Sequence, residues 1–252
     1  VFDTHVHTEY SSDSNMKIEE ALKAADYNKL SLTFTEHMDI GYPKGDFTFD
    51  VGDYFRKYSR FRGDKLLLGI EVGMKEDALD ESRTVVLDNE FDYIIGSIHL
   101  VDNMDLYYPD YYKDKSKKDA YLRYLKAMFV NFKQFDFVDS LAHIDYICRY
   151  AKYDDKELYY REFCDIIDEI LKLIINRGKC LELNTRRLDS QKAIYSMIDI
   201  YKRYRELGGK YITVGSDAHN PEAIGNNFNI AEGIAEKCNL KIVHFKNRNM
   251  EY

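Results

Sequence analysis

Two histidines stand two residues apart in the stretch DTHVHTEYSSDS (Asp3–Ser14), at the end of a run that reads as a strand. Alternate residues of a strand project to one face, so His5 and His7 share one space. One buried histidine is usually a hydrogen-bonded core residue. Two on one face, with carboxylates following, suggest a metal, because imidazole is a common ligand. Similar groups recur downstream: Glu36 and His37, Glu71, His99, His143, Asn184, and then Asp217 and His219. Imidazole and carboxylate with no plausible cysteine ligand suit Zn, Mn or Fe. Six histidines and three well-placed acids exceed the roughly four to six ligands of one ion, so two or three divalent ions fit better. Taken instead as unrelated core histidines and surface acids, these residues would bury many polar groups without a cation, which is costly.

Such a convergence needs elements that end in one place. Strand-like runs cover Val1–His7, Ser31–His37, Leu66–Gly73, Asp92–His99, Phe135–His143, Lys179–Asn184 and Tyr211–His219. LLLGIEVG is nearly continuous in apolar residues, as buried parallel strands are. Helical spacing fills Lys17–Asn28, with Ile18, Ala21, Leu22 and Ala25 on one face, then Asp53–Arg62 and Lys117–Lys133. It returns over Asp155–Arg177, stopped by Gly178, over Gln191–Leu207 and over Pro221–Cys238. Each candidate ligand run lies at the C-terminal end of a strand. Only His244, in a late peripheral strand (Lys241–Phe245), stands apart, and it reads as structural. In a closed barrel every strand C-terminus faces one pocket. In an open doubly wound sheet the edge strands lie too far from the crevice. The alternation therefore predicts an α/β barrel of seven parallel βα units, forming a single domain over residues 1–252.

Composition narrows the function classes. The formal charge is -8, and the lysines of KDKSKKD (Lys113–Asp119) alternate with acids. That argues for a solvated segment and against a nucleic-acid partner. Cys148, Cys164, Cys180 and Cys238 form no CxxC pair and read as free thiols. No apolar run has transmembrane length and no signal-peptide pattern opens the sequence. A soluble cytoplasmic protein without a membrane partner is expected. GSDAH is neither a P-loop nor a G-x-S-x-G elbow, so Ser216 is not read as a nucleophile.

The motifs HVHTEYSSD (His5–Asp13), TEH (Thr35–His37), GIEVG (Gly69–Gly73), GSIH (Gly96–His99), AHID (Ala142–Asp145), LELNT (Leu181–Thr185) and GSDAH (Gly215–His219) occur in that order across nearly the whole chain. Together they resemble the polymerase-and-histidinol-phosphatase (PHP) family. DTHVHTEYSSDS, NTRRL and the closing VHFKNR are most similar to its stand-alone histidinol-phosphate phosphatases. The resemblance implies a distorted barrel of seven βα units and a trinuclear site. One ion would be held by His5, His7, Glu71 and Asp217, a second by Glu71, His99 and His143, and a third by Asp13, His37 and His219. Asp13 stands where the family often has histidine; it keeps a ligand and adds charge. The implied activity is metal-dependent hydrolysis of L-histidinol phosphate in histidine biosynthesis. A phosphoesterase of this family acting on nucleotides or phosphotyrosine is an alternative within the same chemistry. A non-catalytic metal-binding domain and an amidohydrolase-like barrel enzyme are others. The last lacks a clear lysine at a strand end.

Charge favours a phosphate ester. Three divalent cations against Asp13, Glu71 and Asp217 leave about three positive charges, which a phosphate dianion and a hydroxide would neutralise. Glu71 and Asp217 are thus candidate catalytic residues on the ions, and Asp102, just past His99, is a candidate proton donor to the leaving alkoxide. Arg161, Arg186 and Arg187 are candidates for the phosphate, which suits guanidinium geometry. Histidinol phosphate also carries an ammonium and an imidazole. The tyrosines and aspartates of LYYPDYYKD (Leu106–Asp114) could form a lid or rim for them, or be packing decoration.

Overall fold

The computed structural model describes residues 1–252 and alternates parallel strands with helices. The order is β1 (Phe2–Val6), α1 (Ile18–Asn28), β2 (Ser31–Met38), α2 (Val51–Tyr58), β3 (Leu66–Gly73), α3 (Leu79–Leu87) and β4 (Tyr93–Ser97). A small hairpin of β5 (Leu100–Val101) and β6 (Met104–Asp105) follows, then α4 (Lys117–Gln134), β7 (Ser140–Leu141), α5 (Ile147–Tyr150), α6 (Cys164–Asn176) and β8 (Cys180–Asn184). The chain ends with α7 (Gln191–Glu206), β9 (Tyr211–Gly215), α8 (Phe228–Lys237), β10 (Lys241–Ile242) and a hairpin of β11 (His244–Lys246) and β12 (Asn249–Glu251).

The main sheet runs β1-β2-β3-β4-β7-β8-β9-β10, parallel throughout. It curls until β1 meets the segment beyond β9. There Val6 bridges Ala218 in parallel, the His7 N–H donates to the Ala218 carbonyl at 2.9 Å, and the Asp217 N–H donates to the His5 carbonyl at 2.8 Å. The seven expected strands therefore close into a distorted barrel at their C-terminal ends. At the opposite end β10 takes the place beside β9, pairing Lys241 with Tyr211.

Strand alternation sorts the side chains. Leu66, Leu68, Ile70 and Val72 of β3, and Leu32, Phe34 and Met38 of β2, pack outward into the large apolar core under the helices. Glu71 and His37 have the opposite parity and face the barrel axis. Gly69 lies two residues before Glu71. A Cβ there would come 2.7 Å from the Tyr93 carbonyl oxygen and 3.0 Å from that of Phe34, so only glycine lets the neighbouring strands approach this closely.

The N-terminal end of the barrel is plugged. Tyr93, Ile95, Ala142, Cys180, Val243 and Phe245 form a second apolar cluster, with Phe245 stacked on Tyr93 and His244 stacked on Phe2. His244 is thus far from the other histidines, as expected. Arg248 forks onto Asp139 at 2.6 and 2.9 Å. Asp92 accepts from the Leu68 and Asn247 N–H groups and from Arg62 at 2.8 and 2.7 Å. One buried carboxylate thereby ties β3, the hairpin and the segment after α2.

Several boundaries differ from expectation. The α6 helix begins only at Cys164, not Asp155, because Glu157 and Leu158 are drawn inward, Glu157 by the fork of Arg187. The strand expected over Phe135–His143 is confined to β7, since a turn in which the Val138 N–H donates to the Phe135 carbonyl occupies its start. Helix α8 starts at Phe228, after a 3₁₀ turn at Pro221–Ala223. The α3 helix is additional. The four cysteines are unpaired. No helix is long and apolar enough to cross a membrane.

Removing the Asp92 carboxylate strands the Arg62 guanidinium and two N–H groups. Asp92→Ala is expected to lower unfolding stability by roughly 3 kcal/mol. With no tryptophan in the chain, far-UV circular dichroism in urea is the appropriate readout; a loss under about 1 kcal/mol would show that the tie is slack.

Candidate metal centre

Glu71 projects from β3 into the top of the barrel and meets five imidazoles. Its Oε2 lies 3.4 Å from His5 Nε2, 3.5 Å from His7 Nε2 and 2.8 Å from His37 Nδ1. Its Oε1 lies 3.0 Å from His143 Nε2 and 3.3 Å from His99 Nε2. Asp217, at positive φ (55°) just past β9, brings Oδ1 to 3.4 Å from His7 Nε2 and 3.6 Å from His219 Nδ1. Asp13 sits at the exposed rim, with its oxygens 3.6 Å from His37 Nε2 and 3.2 Å from His219 Nε2. All nine residues expected as ligands are therefore gathered in one cluster. The His7 ring is stacked between those of His37 and His219, at 4.2 and 4.3 Å.

A second layer fixes which nitrogen faces inward. The Ser11 hydroxyl donates to Glu36 at 2.7 Å, so it accepts from His7 Nδ1 at 2.9 Å and leaves His7 Nε2 free. His5 Nδ1 is held by Glu182 at 2.6 Å and His99 Nδ1 by Asp39 at 2.9 Å. His219 Nδ1 donates to the Asp217 carbonyl at 2.9 Å. Glu182 also accepts the His143 N–H at 2.7 Å. A Cβ at Gly215 would strike His5 Cβ at 2.3 Å and Glu182 Oε1 at 2.6 Å, so glycine makes room for this contact. Carboxylate or hydroxyl partners behind a histidine are the usual outer shell of a metal ligand.

The inner atoms are left short of partners. His5 Nε2, His7 Nε2, His37 Nδ1 and Glu71 Oε2 are buried and without a hydrogen bond. Buried polar atoms are normally satisfied, and these four point at one another. Ligand atoms of His5, His7 and Glu71, of Glu71, His99 and His143, and of His7, His37 and His219 each lie within 4.8 Å of one another. This donor set fits divalent cations. The carboxylates are held in their ligating form. Burial opposes ionisation of Glu71, yet His5, His99 and His37 hold its carboxyl well below the usual range. Burial likewise opposes ionisation of Asp217, and Arg149 and His5 outweigh it. Burial, with His37 and His219 alongside, keeps the His7 imidazole neutral, and burial does the same for His143. Burial opposes protonation of His5, His37 and His99, but Glu182, Glu71 and Asp39 beside them raise these three imidazoles well above their ordinary value. Neutral imidazole and ionised carboxylate are the ligating forms, so a cation binding here displaces those protons.

Not every expected site residue is here. Asp102 lies at the turn of the β5–β6 hairpin, at φ 53°, and pairs with Arg123 at 3.2 Å on the surface. The tight Asp102–Asn103 turn faces it away from the cluster, which removes it as a proton donor. Arg187 is buried between Asp145 at 2.7 Å and Glu157 at 2.7 and 2.6 Å, so its donors are spent on structure. Arg161 is exposed on the Tyr160–Glu162 turn and lies over Tyr159. Arg186 does line the cavity and approaches Asp217 Oδ1 at 3.5 Å. Glu36 turns outward to Thr8 and Ser11. Sequence reasoning missed Arg149, whose Nη1 lies 2.5 Å from Asp217 Oδ2. It also missed Asp39 and Glu182; Glu182 was recoverable, because it shares strand parity with Asn184 in LELN.

The cluster floors a cavity of about 360 Å³, walled by Tyr42, Phe47, Asp105, Tyr107, Tyr108, Tyr146 and Tyr150 among others. The Leu106–Asp114 loop is both things considered for it. Tyr107 and Tyr108 line the cavity, whereas Leu106, Tyr111 and Tyr112 are packed in the core.

The description PHP domain matches residues 3–186, and the chain belongs to the PHP family. A "Probable histidinol-phosphatase" of Clostridium acetobutylicum is 48% identical over all of this chain and 99% of the relative. A "Histidinol-phosphatase" of Lactococcus lactis is 31% identical over 86% of this chain and 83% of the relative. Among solved structures, the histidinol phosphate phosphatase of Lactococcus lactis, complexed with zinc, L-histidinol and phosphate, superimposes with a TM-score of 0.95 at 28% identity. It spans 100% of this chain and 98% of that one.

Two substitutions separate site support from framework. Glu182→Gln is expected to weaken metal binding about tenfold, measured by competition with a chromophoric chelator, because His5 loses its charged anchor; unchanged affinity would make Glu182 a bystander. Arg187→Met strands two buried carboxylates. It should cost roughly 3 kcal/mol in denaturation while KM for a phosphate ester moves little; a large KM rise with normal stability would return Arg187 to the phosphate site.

Proposed function

We propose that this chain hydrolyses L-histidinol phosphate to L-histidinol and inorganic phosphate, a cytoplasmic step of histidine biosynthesis, and does so as one domain over residues 1–252. The observation that carries the reading is the convergence of six imidazoles with Asp13, Glu71 and Asp217 at the C-terminal end of the barrel, beside Arg186 and under a cavity of small-molecule size. The names of the full-length relatives and the zinc, histidinol and phosphate of the Lactococcus lactis complex support the substrate.

In this reading His5, His7, Glu71 and Asp217 hold one divalent ion, Glu71, His99 and His143 a second, and Asp13, His37 and His219 a third. Zinc is favoured, with manganese and iron as alternatives. Bound there, such ions neutralise phosphate oxygens and make water acidic enough to supply hydroxide near neutral pH. The protein groups do the rest. Arg186, half exposed at the cavity wall, offers a guanidinium fork to the ester phosphate. Arg149 pairs with Asp217 Oδ2 and keeps that carboxylate ionised and turned inward. Glu182, Ser11 and Asp39 hold His5, His7 and His99 so that each Nε2 lone pair faces the reacting space. Tyr146 lies against His99 and His143 at 4.8 and 4.9 Å and excludes water from that side.

The test is phosphate release from L-histidinol phosphate beside p-nitrophenyl phosphate and nucleoside monophosphates. We expect kcat/KM for histidinol phosphate to exceed the others by about 100-fold or more, to vanish on chelation and to return with zinc or manganese. Equal slow rates on all esters would reject the substrate. Full activity in chelator would reject the metal site.

A further inference from the structure

The cavity above the cluster has two rows of rings. On one side Tyr146, against His99 and His143, leads to Tyr150 at 5.4 Å and then Tyr107 at 5.1 Å between ring centres. On the other Phe47, 6.2 Å from His37, leads to Tyr42 at 4.3 Å. Both rows run from the imidazole floor toward the mouth. Asp105, the last residue of β6, lies in the wall they share.

Three carboxylates line this cavity, and they are not alike. Asp13 meets His37 and His219, and Asp39 meets His99. Asp105 has no lysine, arginine or histidine nitrogen within the 4.0 Å of an ion pair. Asp105 itself is 8% exposed. It accepts only the Tyr42 hydroxyl and, at 2.8 Å, the Tyr107 N–H. Other buried carboxylates of the chain without a cation, Asp3 and Glu36, are each closed in by three or more donors. Asp105 lines the cavity above the imidazoles with only one accepted hydrogen bond on each oxygen. A carboxylate at such low exposure attracts a cation more strongly than one in water, and aromatic faces add to that attraction. The face of Tyr108 is already engaged, with Lys44 Nζ 3.6 Å above it. Tyr42 bonds Asp105 through its hydroxyl, Tyr107 through its N–H, and the Tyr150 ring lies beside that of Tyr107 in the same cavity wall.

We infer that Asp105, oriented by the Tyr42 hydroxyl and sharing the cavity wall with Tyr107 and Tyr150, is the subsite that selects an ammonium-bearing phosphomonoester over a neutral one. The phosphate end of such an ester goes to the floor with Arg186, and its cationic end lies outward on Asp105. This rests on the phosphomonoesterase reading above and adds the group that chooses among esters. A neutral or anionic leaving group would leave the carboxylate desolvated and unpaired, which is the more discriminating half of the device.

The experiment compares the wild type, Asp105→Asn and Tyr42→Phe on two ammonium-bearing esters, L-histidinol phosphate and O-phosphoethanolamine, and two without ammonium, glycerol phosphate and p-nitrophenyl phosphate. Asp105→Asn is expected to lower kcat/KM for the ammonium esters about tenfold more than for the others, and Tyr42→Phe to do the same more weakly. L-Histidinol as an inhibitor should weaken about as much, and inorganic phosphate far less. Equal losses on all four esters, or an Asp105→Asn enzyme that keeps the wild-type preference, would overturn the inference. A wild type that ignores histidinol phosphate yet prefers O-phosphoethanolamine to glycerol phosphate would reject the proposed substrate and leave Asp105 in its role. A wild type with no preference for ammonium esters would reject Asp105 as the selector.

Discussion

A single carboxylate, Glu71, sets the terms for this protein. It lies fully buried on the barrel axis, and each of its oxygens is faced by imidazole nitrogens from other strands. A lone carboxylate cannot be carried into a protein interior without compensation. Compensation comes from residues of β1, β2 and the segments following β4 and β7, so the geometry of one side chain dictates the curl of the sheet. The barrel must close far enough for His5 and His143 to reach opposite oxygens of the same group.

The remaining polar interior is arranged in shells around that point. Imidazoles form the inner shell. Glu182, Asp39 and the Ser11–Glu36 relay form the next, each using its hydrogen bonds to turn a ring. Arginines answer carboxylates in pairs, Arg149 with Asp217 and Arg187 with Asp145 and Glu157 near the site, and Arg248 with Asp139 and Arg62 with Asp92 at the plugged end. Losing one partner of such a pair leaves the other uncompensated. The apolar plug of Tyr93, Val243 and Phe245 closes the far end, so the axis is open only at the tyrosine-lined mouth.

Much of this was legible because strand parity is a strict rule. His5 and His7, and Glu71 four strand positions beyond Leu67, had to face one way once their runs were read as strands. Barrel geometry then required one pocket. The residues that escaped obey no local rule. Arg149 lies on the four-residue helix α5, where no period shows which way a side chain points. Arg187 was misread because its partners, Asp145 and Glu157, lie on other loops some 30 to 42 positions away. Asp102 follows His99 closely in sequence, but a hairpin turn reverses the chain between them and Asp105. The start of α6 was placed too early because the acidic and aromatic residues before Cys164 have helical composition, while a tertiary ion pair holds them in loop form.

The seam between β1 and the end of β9 carries a consequence for how the protein comes into being. It joins partners such as Thr4 and Val214, or Asp3 and Ser216, that are 210 and 213 positions apart. Pairings of such long sequence separation form slowly, because a large loop must be closed before they return any stabilisation. During synthesis His5 and His7 emerge about 210 residues before Asp217 and His219. The early histidines therefore spend most of translation without the ring that completes their surroundings. Docking of β9 exchanges a set of separate imidazoles for a shared site, so competence for cation capture arrives as one late event.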